Sequence, residues 1–203
     1  MISVIVTLHN REKSIISALQ SIVAQTAQQW ECVIVDNAST DASEFQVNAY
    51  LIDRRMHYIR LKEQVSLQEA RKIGLDATTG EWVMFMDGAD YLDSNALQAL
   101  YLIVKKYGTL AGIGHFAIER NGEPKHCCYL PEGKLTARQI IKGKHKVVTG
   151  NSIFARSIAY SPESWSTINY ALTDHLVAIN GEIEQPLVKQ NLPFWKKIIR
   201  LFK

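Results

Sequence analysis

Apolar residues open the chain. Met1 to Leu8 is a nearly continuous Val- and Ile-rich run, the pattern of a strand buried on both faces of a parallel sheet. From about Glu12 to Gln25 the spacing changes. Ile15, Ile16, Leu19, Ile22 and Val23 fall at i, i+1, i+4, i+7 and i+8 and predict an amphipathic helix, which Asn10 and Arg11 cap or flank. Trp30 to Val35 is a second apolar run. The polar stretch Asp36 to Asp41 that follows is a loop, and Asp41 can cap a helix to about Arg54. His57 to Leu61 predicts a shorter strand. Ser66 with Glu69 three residues on makes a capping box, and Ala70, Ile73, Gly74 and Ala77 give the next helix a flat face, ended by Thr79-Gly80. Trp82 to Met86 is the most apolar strand. It runs into Asp87-Gly88-Ala89-Asp90, after which Asp93 or Ser94 caps a helix to Tyr107.

Four alternations of strand and helix with short connections predict βαβ units and an α/β, doubly wound, mostly parallel sheet. Right-handed crossovers place every strand C-terminus on one edge, where such sheets bind ligands. The polar loops His9-Asn10-Arg11, Asp36-Asn37 and Asp87 to Asp90 therefore converge on one crevice. The second half is less regular, and all five prolines lie at Pro124 or later. Leu110 to His115 predicts a strand, and Asn121-Gly122 a type I′ turn between Phe116-Ala117-Ile118 and a return strand near His126 to Leu130. Short helices are expected over Thr136 to Lys142 and from Trp165 to Asn180, the latter ended by Gly181, and a last strand over Ile183 to Val188. The expected organisation is one domain over residues 1–190 with a tail over 191–203.

With 203 residues, 47% of them hydrophobic and 21% charged, the chain has the composition of a globular protein able to bury its own core. No run of about 18 apolar residues suits a membrane span. Met1 meets the first strand without a basic leader or cleavage site, so a cytoplasmic protein is expected. Three cysteines without ligand spacing argue against a disulfide framework. A net charge of +3 is too small to imply nucleic acid, and it resides in the tail. There Trp195, Ile198, Ile199 and Phe202 fall at i, i+3, i+4 and i+7, with Lys196, Lys197, Arg200 and Lys203 on the remaining arc. That basic amphipathic helix suits an anionic bilayer surface, at the inner face of the plasma membrane. The alternative is a helix docked on protein.

Several nucleotide motifs are missing. No glycine precedes Gly74, so there is no GxGxxG after the first strand, and neither a GxxxxGK[ST] loop nor a GxSxG elbow is present. Carboxylates at strand ends remain. They can hold a base or ribose, or a hard cation bridging two phosphates.

Ser3-Val4-Ile5-Val6-Thr7-Leu8-His9-Asn10 is similar to the S-V-I-I-P-x-Y-N opening strand of family 2 glycosyltransferases. Val33 to Asp41 resembles that family's V-I-V-D-D-G-S-T-D. Ala70-Arg71-Lys72-Ile73-Gly74-Leu75 with Thr79-Gly80-Glu81 resembles A-R-N-x-G-L…T-G-E, and Phe85-Met86-Asp87-Gly88-Ala89-Asp90-Tyr91-Leu92 resembles F-L-D-x-D-D-x-L. The resemblance implies a GT-A fold with an acceptor-side second half. It implies transfer of a sugar from a nucleotide-diphosphate donor, UDP-linked, to a cell-surface glycan or lipid-linked acceptor, with inversion. It assigns Thr7, His9, Asp36, Arg71 and Asp87 to the donor, and Asp87 with Asp90 to a Mn or Mg ion. Ala89 stands where the family has the second acid of D-x-D, so the motif is degenerate, and Lys72 offers a positive charge in exchange. Leu172-Thr173-Asp174-His175-Leu176 resembles the family's E-D-x-x-L, which makes Asp174 the general base on a late helix. The alternative function is a catalytically degenerate domain that binds nucleotide sugars or acts as a scaffold.

Overall fold

The structure is a computed structural model that describes residues 1–120, 123–127, 132–136, 139, 150–159 and 169–180. For 118–120, 123–127, 174–176 and 178–180 the backbone alone is described. The first half follows the hydrophobic pattern closely: β1 (Ile2–Leu8), α1 (Ile15–Val23), β2 (Trp30–Asp36), α2 (Ser43–Asn48), β3 (Met56–Arg60), α3 (Leu67–Asp76), β4 (Trp82–Asp87). A two-residue strand, β5 (Tyr91–Leu92), precedes α4 (Ala96–Tyr107). The second half adds β6 (Ala111–Arg120), β7 (Glu123–Cys127), β8 (Gly133–Thr136), β9 (Ser152–Ala155), α5 (Arg156–Ala159) and β10 (Asn169–Asn180). One sheet joins all the strands in the order β3-β2-β1-β4-β9-β6-β10-β5, with β7 on β6 and β8 on β10.

β3, β2, β1 and β4 are mutually parallel. All seven residues of β1 are buried, because helices cover both of its faces. Val4, Val6 and Leu8 belong to the main core with Ile15, Leu19 and Ile22 of α1. Ile5 belongs to a second cluster with Leu75, Val83 and Phe85. The flat face of α3 is explained by Gly74, where an added Cβ would lie 2.4 Å from Ile5 Cγ2. Ser66 caps α3 by accepting from the Glu69 N–H at 3.2 Å. Gly108 ends α4 at φ +60°, a left-handed conformation that glycine adopts without strain.

The antiparallel β9 lies between β4 and β6, which keeps β6 and β10 parallel to β4. The helix expected over Trp165 to Asn180 is therefore corrected: residues 169–180 form β10, the strand that carries Asp174. Apolar runs read equally as buried helix or buried strand. Here β6 and β8 on either side supply the ladder. The run is buried on successive positions from Tyr170 to Thr173, which one face of a helix could not achieve. The return strand after β6 begins at Glu123, a few residues earlier than expected. The turn at 121–122, most of the helix over 136–142 and the strand over 183–188 lie outside the described residues. Thr136 and Gln139 do make reciprocal capping hydrogen bonds, at 2.8 Å and 3.4 Å.

Glu31 on β2 ties the sheet to the turn after α3. Its Oε1 accepts from Ser3 Oγ at 2.7 Å, Thr79 N at 2.6 Å and Gly80 N at 2.8 Å. Burial alone would raise its pKa, but these bonds favour the carboxylate more strongly and hold it below its ordinary value. A depressed carboxylate contributes stability that is complete above the unfolded pKa and lost as pH falls through the folded one. Urea unfolding from about pH 6 to pH 3 is expected to show wild type losing more stability than Glu31→Gln. Parallel curves would remove Glu31 from the acid sensitivity of the fold.

Candidate functional site

The crossover from β1 through α1 to β2 leaves β1 on one side, and that from β3 through α3 to β4 returns on the other. The topological switch point lies between β1 and β4, where open α/β sheets bind ligands outside the strand C-termini. Thr7 and Asp87 are register partners there. Asp36 ends β2 level with Leu8. The two acids thus share one edge, separated by β1, about 10 Å apart by strand spacing. They leave the sheet on opposite faces, because Leu8 and Thr7 alternate along β1. Thr7, Asp87 and Arg71 lie on the α3 side.

Asp36 is fully buried. Its Oδ1 accepts from Ser39 N at 2.8 Å and its Oδ2 from Tyr58 Oη at 2.6 Å. Burial and this carboxylate push the Tyr58 hydroxyl pKa up. Asn37 mimics a backbone strand toward Val65, accepting from its N–H at 2.8 Å and donating to its carbonyl at 2.9 Å. His9 Nδ1 lies 2.8 Å from the Asn37 carbonyl. A carbonyl only accepts, so Nδ1 carries the proton there and neutral His9 keeps an Nε2 lone pair.

The first two polar loops are laced together. Asn10 N donates to Ser39 Oγ at 3.0 Å, Thr40 N to Asn10 Oδ1 at 2.8 Å, Arg11 N to Ser43 Oγ at 2.8 Å and Glu12 N to Asp41 Oδ2 at 3.0 Å. Asp41 also accepts from Ser43 N at 3.0 Å, but the N-cap position of α2 is Ala42 and not Asp41 as expected, and the helix ends at Asn48 and not near Arg54. Asn10 and Ala38 both hold positive φ, 53° and 59°. For Ala38 that costs about 1–2 kcal/mol, the kind of local strain that surrounding bonds must maintain.

The third loop closes on itself. Asp87 Oδ1 accepts from Ala89 N at 2.9 Å, and Asp90 Oδ2 accepts from Asp87 N at 3.2 Å. Gly88 N donates to the Thr7 carbonyl at 2.9 Å, which pins the loop to β1. Arg11, on the loop after β1, donates from Nε to Asp87 Oδ1 at the end of the neighbouring β4 at 3.2 Å. Arg71 lies 5.7 Å from the Phe85 ring centre. Burial pulls its guanidinium down to about 10, while the charges of Asp87 and Asp90 act the other way. It is a cation at neutral pH. Lys72 is exposed and pairs with Asp76 at 3.2 Å, one turn along α3.

These residues do not fit a chelated divalent cation. Among the described residues no group of three or more His, Cys, Asp or Glu side chains is placed to hold a metal. Ala89 contributes a methyl group, Asp90 is buried and bonded back to its own loop, and Asp87 already receives Arg11. Two guanidinium charges balance the two carboxylates.

Residues 3–160 match the Glycosyl transferase family 2 profile. This chain belongs to glycosyltransferase family 2. Relatives include the glycosyltransferase GlyA of Streptococcus pneumoniae, 34% identical over 57% of this chain and 16% of the relative. The putative teichuronic acid biosynthesis glycosyltransferase TuaG of Bacillus subtilis is 28% identical over 61% of this chain and 50% of its own. The Escherichia coli glucosyltransferase WfgD is 24% identical over 70% and 55%. The chain thus spans between 16% and 55% of these relatives' length. In fold it matches S. aureus TarS 1-349, solved with UDP-GlcNAc, at a TM-score of 0.77 and 18% identity over 98% of this chain and 64% of TarS 1-349. The GT-A fold is thereby shown.

Within this family 2 chain, the structure gathers Thr7, Arg71, Asp87 and Asp90 at the switch point. His9 sits on the neighbouring loop, and Asp36 is turned inward behind it. Asp174 lies on β10. Through the pairs Val83–Phe154, Phe154–Ala111 and Ala111–Tyr170, and with residues 173–175 opposite Gly114, Asp174 is three residues beyond the level of Val83, one short of Asp87. Three strand spacings, about 14 Å, separate the two. Sequence reasoning missed Tyr58, whose alternating position marks only a half-buried strand residue, and Arg11, read as flanking α1. It does flank α1, since its carbonyl accepts from Ile15 N at 2.9 Å, but its side chain points to Asp87. The tail residues Trp195, Ile198, Ile199 and Phe202 lie outside the described residues.

Removing the Tyr58 hydroxyl leaves a buried Asp36 oxygen without its donor. Tyr58→Phe is expected to lower stability in urea unfolding by about 1–3 kcal/mol. An unchanged midpoint would mean that the Asp36 loop holds without it.

Proposed function

We propose that this chain transfers a sugar from a UDP-linked donor, with inversion, to an acceptor hydroxyl on a cell-envelope glycan or a lipid-linked saccharide. The observation that carries this reading is the Thr7–Asp87 pair at the switch point with the Arg71 cation beside it, in a family 2 chain. Asp87 accepts from the ribose, Arg71 meets the diphosphate, and His9 offers its ring face and Nε2 to the base. Asp36 acts from behind, by fixing the loop that borders the base. Among the relatives, WfgD is named for glucosyl transfer from UDP-Glc to a diphosphoundecaprenol-linked GlcNAc, and TuaG for teichuronic acid biosynthesis. TarS is solved with UDP and with UDP-GlcNAc. These names support a nucleotide-sugar donor and an envelope acceptor.

Asp174 is the proposed general base. It takes the proton of the acceptor hydroxyl as that oxygen attacks the anomeric carbon and the nucleoside diphosphate leaves on the opposite side. One displacement with one base inverts the centre. Its position supports the role. Between the pairs Leu172–Ile113 and Leu176–His115, residues 173–175 of β10 face the single Gly114 of β6. Such bulges re-aim side chains beside active sites.

A second reading is a nucleotide-sugar-binding domain without turnover. Ala89 and Thr173 favour it, since each stands where the family carries an acid. Calorimetry with UDP and UDP-sugars, joined to an assay of donor hydrolysis, separates the two. The enzyme binds UDP and slowly hydrolyses a UDP-sugar, and Asp174→Asn lowers turnover about 10²–10⁴-fold while UDP affinity stays within about twofold. Binding without hydrolysis of any donor sustains the second reading, and no binding of UDP or UDP-sugars ends both.

Among the described residues no helix is long and apolar enough to cross a membrane. The basic amphipathic pattern of 191–203 supports attachment to an anionic bilayer from the cytoplasmic side. The full chain is expected to cosediment with vesicles containing phosphatidylglycerol and to be released when Trp195 and Phe202 are both changed to Ser. Equal binding to neutral vesicles would remove the electrostatic part of this proposal.

A further inference from the structure

The loop that carries Asp87 has its negative charge offset by the guanidiniums beside it. Asp87 and Asp90 are balanced by Arg11 and Arg71, and the acid that would tip the balance is replaced by Ala89. Arg11 is the unexpected member. From the first loop it donates from Nε to Asp87 Oδ1, at the end of the neighbouring β4, at 3.2 Å. The side chain is 42% exposed. Its two terminal nitrogens make no hydrogen bond with a described residue, which leaves four N–H groups to offer. Its backbone is held on both sides, the N–H by Ser43 Oγ at 2.8 Å and the carbonyl by Ser14 N at 3.0 Å. Asp87 thus orients a guanidinium that is otherwise open, at the switch point beside Thr7.

We propose that Arg11, oriented by Asp87 and acting with Arg71, binds the donor's diphosphate in place of a divalent cation, so that nucleotide binding by this chain is metal-independent. A planar fork of N–H donors matches phosphate oxygens in a bidentate way that a lysine cannot. Two guanidiniums bring the charge that one divalent ion would bring to the leaving diphosphate. This inference rests on the nucleotide-sugar reading of the site.

The test is calorimetry with UDP, and with uridine as the phosphate-free probe, on the full chain in EDTA and in Mn²⁺. Wild type is expected to bind UDP with the same affinity within about twofold in both. Arg11→Ala is expected to weaken UDP binding in EDTA 10-fold or more, to leave uridine binding unchanged and to regain affinity with Mn²⁺, because the uncovered Asp87 then attracts the ion. Arg11→Lys should fall between the two, and thermal melts establish that each variant is folded. UDP binding by wild type that requires Mn²⁺ overturns this inference alone and leaves the nucleotide reading intact. Equal weakening of uridine and UDP in Arg11→Ala also overturns it, since Arg11 then acts only by shaping the loop. Failure of wild type to bind UDP or uridine under either condition overturns both.

Discussion

The parallel pairing of β1 with a neighbour on each side is the constraint from which the site follows. Its seven residues are all buried, so the strand can exist only in the middle of the sheet, with helices over both faces. Once β2 and β4 register against it, their C-terminal acids arrive at the same edge as the loop His9 to Arg11. A one-residue slip on either side would exchange the faces of Asp36 and Asp87. The packing of the core thereby sets which acid turns inward and which faces the crevice. Gly74 belongs to the same constraint, since α3 approaches Ile5 too closely for any larger residue, and α3 is what delivers Arg71.

The loops are then made rigid by polar bonds that core packing cannot supply. Side chains of Asn10, Ser39, Asp41 and Ser43 satisfy backbone N–H groups across the first two loops, Asp36 satisfies that of Ser39, and Asn37 that of Val65. Loops left unpaired would lose backbone hydrogen bonds without recovering them from each other. The positive φ values at Asn10 and Ala38 fall inside this lattice. A binding edge built in this way is organised before any ligand arrives, which lowers the ordering cost of recognition.

Electrostatics brings the edge close to neutral. Ala89 removes one negative charge from the third loop, and Arg11 and Arg71 offset the two that remain. The charges come from different elements: Arg11 is on the loop after β1 and Asp87 ends the adjacent β4. Asp87 is the joint member, because the same oxygen that accepts the Ala89 N–H also holds the Arg11 guanidinium.

The run Ile2 to Leu8, the helical stripe of α1, the Ser66 cap and the four motifs were legible in the chain, because each depends on local periodicity or on short-range hydrogen bonding. They sufficed for the sheet's first half, the family and the edge where Thr7, Arg71 and Asp87 meet. Three features were decided only when distant segments came together. Residues 169–180 are apolar enough for either helix or strand, and pairing with β6 and β8 made them a strand. Asp36 is turned away from the crevice because Tyr58, from another strand, offers it a buried donor. Arg11 turns to the end of β4 because Asp87, seventy-six residues away, lies within reach of its side chain. A sequence records which groups carry charge; the register of strands and the reach of side chains across them determine which charges meet.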